Sequence, residues 1–105
     1  MNIEQLISEI TSWADTASPD QPVLGKLSHL RDEVRELQVA VDDGSKADIE
    51  DELADCWILL LNISKKLGFT EQLIEHAITS KMRINRSRIW GRKGKDGQIY
   101  HIKLS

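Results

Sequence analysis

The chain has 105 residues, 40% of them hydrophobic and 30% charged, with a net charge of -3. That length sets an expectation of one small domain over residues 1–105, which buries only about two-thirds of its unfolded surface and would gain from pairing with a second copy. The weak negative charge argues against broad nucleic-acid binding, and long apolar-periodic stretches argue against disorder.

The first helix is expected from about Asn2 to Ala17, with Asn2 as N-cap and Ile3, Leu6, Ile7, Ile10 and Trp13 at helical spacing. MNIEQLISEI carries early acids and lacks the basic start of a secretory signal. The segment SPDQPVLG holds both prolines and reads as a linker. A second helix, from about Leu24 to Asp42, carries Leu27, Leu30, Val34, Leu37 and Val41 along one stripe, the seam of a nearly antiparallel packing. Asp43-Gly44 turns the chain, and Ser45 with Asp48 resembles a capping box opening a third helix from about Lys46 to Lys66.

From Leu53 to Leu61 that third helix is apolar on nearly every side, so it is expected to be the most buried element. Its apolar run, Cys56 to Leu61, is far too short to span a bilayer. Cys56 has no partner for an internal disulfide, which suits a reducing cytoplasm. Leu67-Gly68 closes the helix, and Thr70 caps a fourth that is expected to reach about Ile89. Trp90-Gly91 ends it. The tail, residues 91–105, contains the turn signal Asp96-Gly97 and the alternating QIYHI, a short strand or hairpin arm. Long helices joined by short loops define an all-α fold, an antiparallel bundle of about four helices with a short extended tail.

Chemistry enters with two acidic pairs. Glu33 and Glu36 are three residues apart, and Glu52 and Asp55 repeat that spacing on the next helix. Measured from Leu30 at about 100° per residue, Glu33 lies near -60° and Glu36 near -120°, bordering the apolar stripe. Asp55 falls just before the all-round apolar run. Four carboxylates from adjacent helices would repel unless cations lay between them, and hard divalent ions suit oxygen ligands. A solvated acidic face is the plain alternative for either pair taken singly. On the fourth helix Lys81, Asn85 and Arg88 follow at i, i+4 and i+7, two cations and an amide suited to phosphate oxygens. For Arg88 alone, a basic helix end answering its dipole is the better reading, whereas Lys81 lies two turns too early for it. His29, one turn before Glu33, is a candidate contact to nucleotide or to a metal-binding carboxylate, though a polar edge residue is the safer reading, and Lys26 is similar. Asn62, polar within an apolar helix, needs a hydrogen-bond partner, and facing the pocket or a satisfied structural role are equal alternatives for it.

The strings HLRDEVREL, DELAD and KMRINRSRIW resemble the MazG-type all-α nucleoside triphosphate pyrophosphohydrolases, whose pattern is ExxE, a gap, then ExxD. The HL before the first pair, Gly68-Phe69 after the third helix and the K-x3-N-x2-R-x-W ending are similar to the MazZ-like dATP/dGTP branch, common in phages and prophages. The resemblance covers about residues 24–102, with Asp32 where many relatives have Glu. It implies a homodimer or homotetramer (a dimer of dimers). It also implies that Glu33, Glu36, Glu52 and Asp55 bind two or more Mg²⁺ ions, with Mn²⁺ as a substitute, and catalyse hydrolysis. Lys81, Asn85 and Arg88, with His29, would bind a purine deoxynucleoside triphosphate that is cleaved to monophosphate and pyrophosphate. The same chemistry on dCTP, dUTP or a modified base is the near alternative, and a non-catalytic helical interaction module the distant one. Asp32, Glu50 and Asp51 are expected to be bystanders. Neither nucleic acid nor membrane is an expected partner.

Overall fold

A computed structural model describes residues 2–94 and 97–102 of the chain. Two compact units result, residues 1–71 and 72–105. The order of elements is α1 (Ile3–Ala17), α2 (Val23–Asp43), α3 (Lys46–Lys66), α4 (Glu71–Ser87), β1 (Ile89–Lys93) and β2 (Ile99–Ile102). The expected all-α class holds, and the two strands form one small hairpin.

The first unit contains α1, α2 and α3. Asn2 caps α1: its side chain accepts from Gln5 N at 2.9 Å, and Gln5 Oε1 accepts from Asn2 N at 3.0 Å. Together they satisfy two of the amide groups that a helix start leaves without partners. Gly44, at φ +72°, ends α2 in the left-handed conformation that glycine adopts without steric cost. Ser45 follows at once and caps α3, its Oγ accepting from Asp48 N at 3.3 Å. So short a connection between two 21-residue helices folds α3 back antiparallel along α2, and the pair forms the largest interface in the unit. α1 packs on α3, and an ion pair from Lys66 to Asp15 ties their C-terminal ends.

Two expectations need correction. The buried stripe of α1 is Ile7, Ile10 and Ala14, whereas Trp13 is 64% exposed. Trp13 sits one position off the stripe, and the small Ala14 lets α1 approach α3 closely instead. Nor is α3 sheathed: Asn62 and Ile63 are its buried residues, while Leu53, Trp57 and Leu60 at i, i+4 and i+7 are exposed, Trp57 by 58%. Val34 and Val41 of α2 are exposed as well. A chain this short has too few layers to cover both faces of a central helix pair.

In the second unit, α4 ends at Ser87 and not at Ile89. Arg88 therefore lies beyond the helix, its amide bonding Asn85 O at 3.2 Å, and the expected Lys81–Asn85–Arg88 stripe keeps two helical members. The β-favouring pair Ile89-Trp90 starts β1 in place of a last helical turn. β1 pairs antiparallel with β2, Ile89 opposite Ile102 and Lys93 opposite Ile99, with an irregularity between Trp90 and Arg92. Gly91, at φ +147°, occupies that break. No helix among the described residues is long and apolar enough to cross a membrane.

Candidate metal and nucleotide site

The antiparallel pairing of α2 and α3 sets the two acidic motifs at the same level. Glu33, Glu36 and Glu52 each offer a carboxylate oxygen, and these oxygens all lie within 4.8 Å of one another. Asp55 stays outside that triplet. It is exposed and lines the same cavity as Glu33. Three of the four expected ligands therefore converge, with the fourth adjacent.

Electrostatics in this cluster is unfavourable for the bare carboxylates. Burial first, and then the negative neighbours Glu36 and Asp55, raise the Glu33 pKa, while its hydrogen bond with Glu52 opposes the rise. The hydrogen bond with Glu33 is the main reason that Glu52 is pushed up to about 7, with burial second. Two acids sharing a proton titrate as a pair. Glu33 Oε2 and Glu52 Oε2 are also shielded from solvent, and no donor from another residue reaches them. Buried oxygens without donors, on acids that resist ionising together, form the donor set that a hard divalent cation satisfies. The residues present fit such an ion.

His29 acts on the other oxygen of Glu33, its Nε2 standing 3.2 Å from Oε1. That contact holds one oxygen and leaves Oε2 for the cluster. Asp32 points elsewhere: it is exposed and pairs with Arg35 at 3.7 Å. Burial, reinforced by Glu33, Asp55 and Glu52, raises the half-buried Cys56 thiol, so it remains a protonated, weakly nucleophilic group.

The carboxylates stand between two recesses. Glu36 and Glu52 line one with Asp43 and Asp48, near the α2–α3 turn. Glu33 and Asp55 line the other, a cavity of ≈ 180 Å³. Its walls come from all three helices of the unit: Trp13, Ala14 and Ala17 of α1, Lys26 and His29 of α2, and Leu59 and Asn62 of α3. An engineered apolar cavity of about 150 Å³ takes a benzene ring. This cavity is larger, and the indole that lines it is a stacking surface for a flat base.

Sequence reasoning missed the contribution of α1 entirely and gave Trp13 to the core. The signal was present but faint, a tryptophan followed by Ala14 and Ala17 at helical spacing. It found His29 and noted Lys26 and Asn62. Lys81, Asn85 and Arg88 all belong to the second unit.

Comparison with known proteins gives concordant results. The sequence profile of a family described as dATP/dGTP pyrophosphohydrolase matches residues 6–105. A dATP/dGTP diphosphohydrolase of Cyanophage S-2L is 34% identical over 100 residues, covering 95% of this chain and 88% of that protein. A protein of the same description from Salmonella phage PMBT28 is 35% identical over 103 residues, covering 96% of this chain but 31% of that longer protein. Among solved structures, a Cyanophage S-2L MazG-like pyrophosphohydrolase, bound to dGDP and three catalytic Mn²⁺ ions per active site, superposes with a TM-score of 0.80. That pair shares 30% identity, and the match covers 100% of this chain and 97% of the other.

Proposed function

Because this chain belongs to the dATP/dGTP pyrophosphohydrolase family, we propose that it hydrolyses dATP and dGTP to the deoxynucleoside monophosphate and pyrophosphate. The observation that carries this reading is the convergence of Glu33, Glu36 and Glu52, with a buried oxygen on each of Glu33 and Glu52 that no other residue donates to, beside a cavity suited to a flat ring that Glu33 also lines. Four carboxylates, with Asp55 as the fourth, hold two or more divalent cations, Mg²⁺ in the cell and Mn²⁺ as substitute. The S-2L structure carries three Mn²⁺ ions per active site, which supports a multi-ion centre. Such ions, when bound, supply positive charge against the phosphate oxygens and acidify water for attack on the α-phosphorus.

The chain's own groups do the rest. Glu33 and Glu52 give up their shared proton, and with Glu36 they present oxygens in a fixed cluster. His29 keeps Glu33 in its rotamer. The cavity lined by Trp13 receives the base and excludes water from it. Lys81, Asn85 and Arg88 are assigned to polyphosphate oxygens on their chemistry, two cations and an amide. No side chain serves as a covalent nucleophile in this scheme.

The exposed row Leu53, Trp57 and Leu60 supports a homodimer, or a dimer of such dimers, over a non-catalytic docking module for another protein. A deoxynucleoside triphosphate substrate supports a cytoplasmic enzyme, in the host cytoplasm for a phage-encoded copy. The test is pyrophosphate release from a nucleotide panel with Mg²⁺ or Mn²⁺ and then with chelator. Metal-dependent release from dATP and dGTP is expected, and no release from any triphosphate overturns the reading. Light scattering should give at least twice the monomer mass, and Trp57→Glu should reduce it.

A further inference from the structure

One buried polar group in the cavity has neither a role in the scheme above nor a partner. Asn62 is 2% exposed, and neither its Nδ2 nor its Oδ1 has a hydrogen-bond partner. Burying an amide without partners is costly, so a fold retains one where something else satisfies it. The side chain lines the same cavity as Glu33 and Asp55. Asp55 and Asn62 lie at i and i+7 on α3, about 10 Å apart along the helix axis. The span from the α-phosphorus of a nucleotide to the far edge of its base is of that order. A nucleotide whose phosphates meet the carboxylates therefore brings its base edge to Asn62.

Three polar side chains are available at that end of the cavity, and their chemistry separates them. Lys26 is 3% exposed and its ammonium only donates. Gln21 Oε1 already accepts from Lys26 Nζ at 3.4 Å. Asn62 alone among the three has both a donor and an acceptor uncommitted. Adenine presents an acceptor at N1 and a donor on its 6-amino group, whereas guanine presents a donor at N1 and an acceptor at O6. A primary amide matches the first pattern and, turned over by 180°, matches the second. A fixed donor such as Lys26 cannot do both.

We propose that Asn62 reads the N1–C6 edge of both purines by this turnover, and that its depth in the cavity selects purines. Cytosine and thymine carry the same two patterns on a single ring, so only reach distinguishes them. Held by the same phosphates, they stop short of the amide. This assignment rests on the hydrolase reading above and adds the group responsible for accepting two bases and refusing two others.

The test is pyrophosphate release from dATP, dGTP, dCTP and TTP by the wild type and by Asn62→Leu, which keeps the side-chain volume and removes both polar groups. Expected is a loss of about tenfold or more in kcat/KM on dATP and dGTP alike, carried mainly by KM, with dCTP and TTP unchanged. The same variant without nucleotide should melt no lower than the wild type, because Asn62 has no partner to lose. Asn62→Ser, which leaves space instead of filling it, should show the same loss of purine preference. A uniform loss on all four substrates, a markedly lower melting temperature or a failure of both variants to fold assigns Asn62 to structure and overturns the proposal. Retained purine preference in the folded variants overturns it too. A wild type inactive on every triphosphate removes the hydrolase reading and this assignment together, an outcome separate from the others.

Discussion

The two ends of the α2–α3 pair both bury polar groups, but they do so by different means. At one end Glu33, Glu36 and Glu52 crowd like charges together, and two buried oxygens lack donors. At the other, about two helical turns away, Lys26 and Asn62 are single buried polar residues among apolar neighbours. Charge crowding is relieved by a shared proton or by metal cations. A lone amide is relieved by any neutral group that offers a donor and an acceptor. In the proposed scheme one cavity runs from a place for metal to a place for a base, and the difference between them can be probed from either side.

The largest effect is expected from Glu52→Gln. Residues that only orient a metal ligand typically cost 10–100-fold, so removing a ligand should lower pyrophosphate release by at least about a hundredfold. The variant should stay folded and, without metal, melt no lower than the wild type, since one of the crowded charges is gone. His29→Ala should act more weakly, because the histidine holds Glu33 from an exposed position at 3.2 Å. It should raise the metal concentration for half-maximal rate by about tenfold and leave the rate at saturating metal nearly unchanged, as a metal titration would show. At the opposite end, Lys26→Met should raise KM for purine substrates about threefold without altering the metal requirement. If Lys26→Met shifts the metal titration and His29→Ala shifts KM, the two ends are not functionally distinct.

The smallest effect concerns pH. Glu52 titrates near 7 in the folded chain against an ordinary value of 4.5. A carboxylate whose pKa rises on folding binds protons more tightly when folded, so stability is greatest below 4.5 and declines as pH rises through about 7. The metal-free protein should therefore lose a few degrees of melting temperature across that window and level off above it. Added Mg²⁺ or Mn²⁺ should cancel the decline. A flat metal-free profile would show that the carboxylates do not crowd in solution.

The charged end was legible in the sequence because its pattern repeats. Two acidic pairs at i, i+3 border an apolar stripe, and Asp43-Gly44 turns the chain between them. α2 was placed within a residue at each end and α3 at both, since the proline-containing linker and the glycine turns are local signals. The base end was legible only in part: Lys26 and Asn62 stood out singly, but Trp13 did not, because the three come from three helices and share no spacing. Each alone resembles an ordinary core or surface residue. Arg88 was placed on a helix because periodicity continues through it, whereas the chain leaves the helix at Ser87 for a hairpin that long-range pairing stabilises. The exposure of Trp57 escaped notice for a related reason. Apolar periodicity says that a face will be covered and does not say by which chain.

The turn at Gly44 also sets a rule for how this enzyme can change length. Glu36 and Glu52 meet because α2 ends, and α3 begins, at a fixed rotational phase. One residue added within either helix between the turn and its acidic pair would swing that pair by about 100° around the axis and out of the cluster. Phase returns only after a whole turn, and the partner helix must lengthen by the same amount to stay level. Spacing between the two acidic motifs is thus expected to vary in steps of about seven residues, or by extra residues looped out at the turn itself. The separation of the motifs behaves as a thread pitch, which permits growth of the hairpin only in increments that bring its ligands back into line.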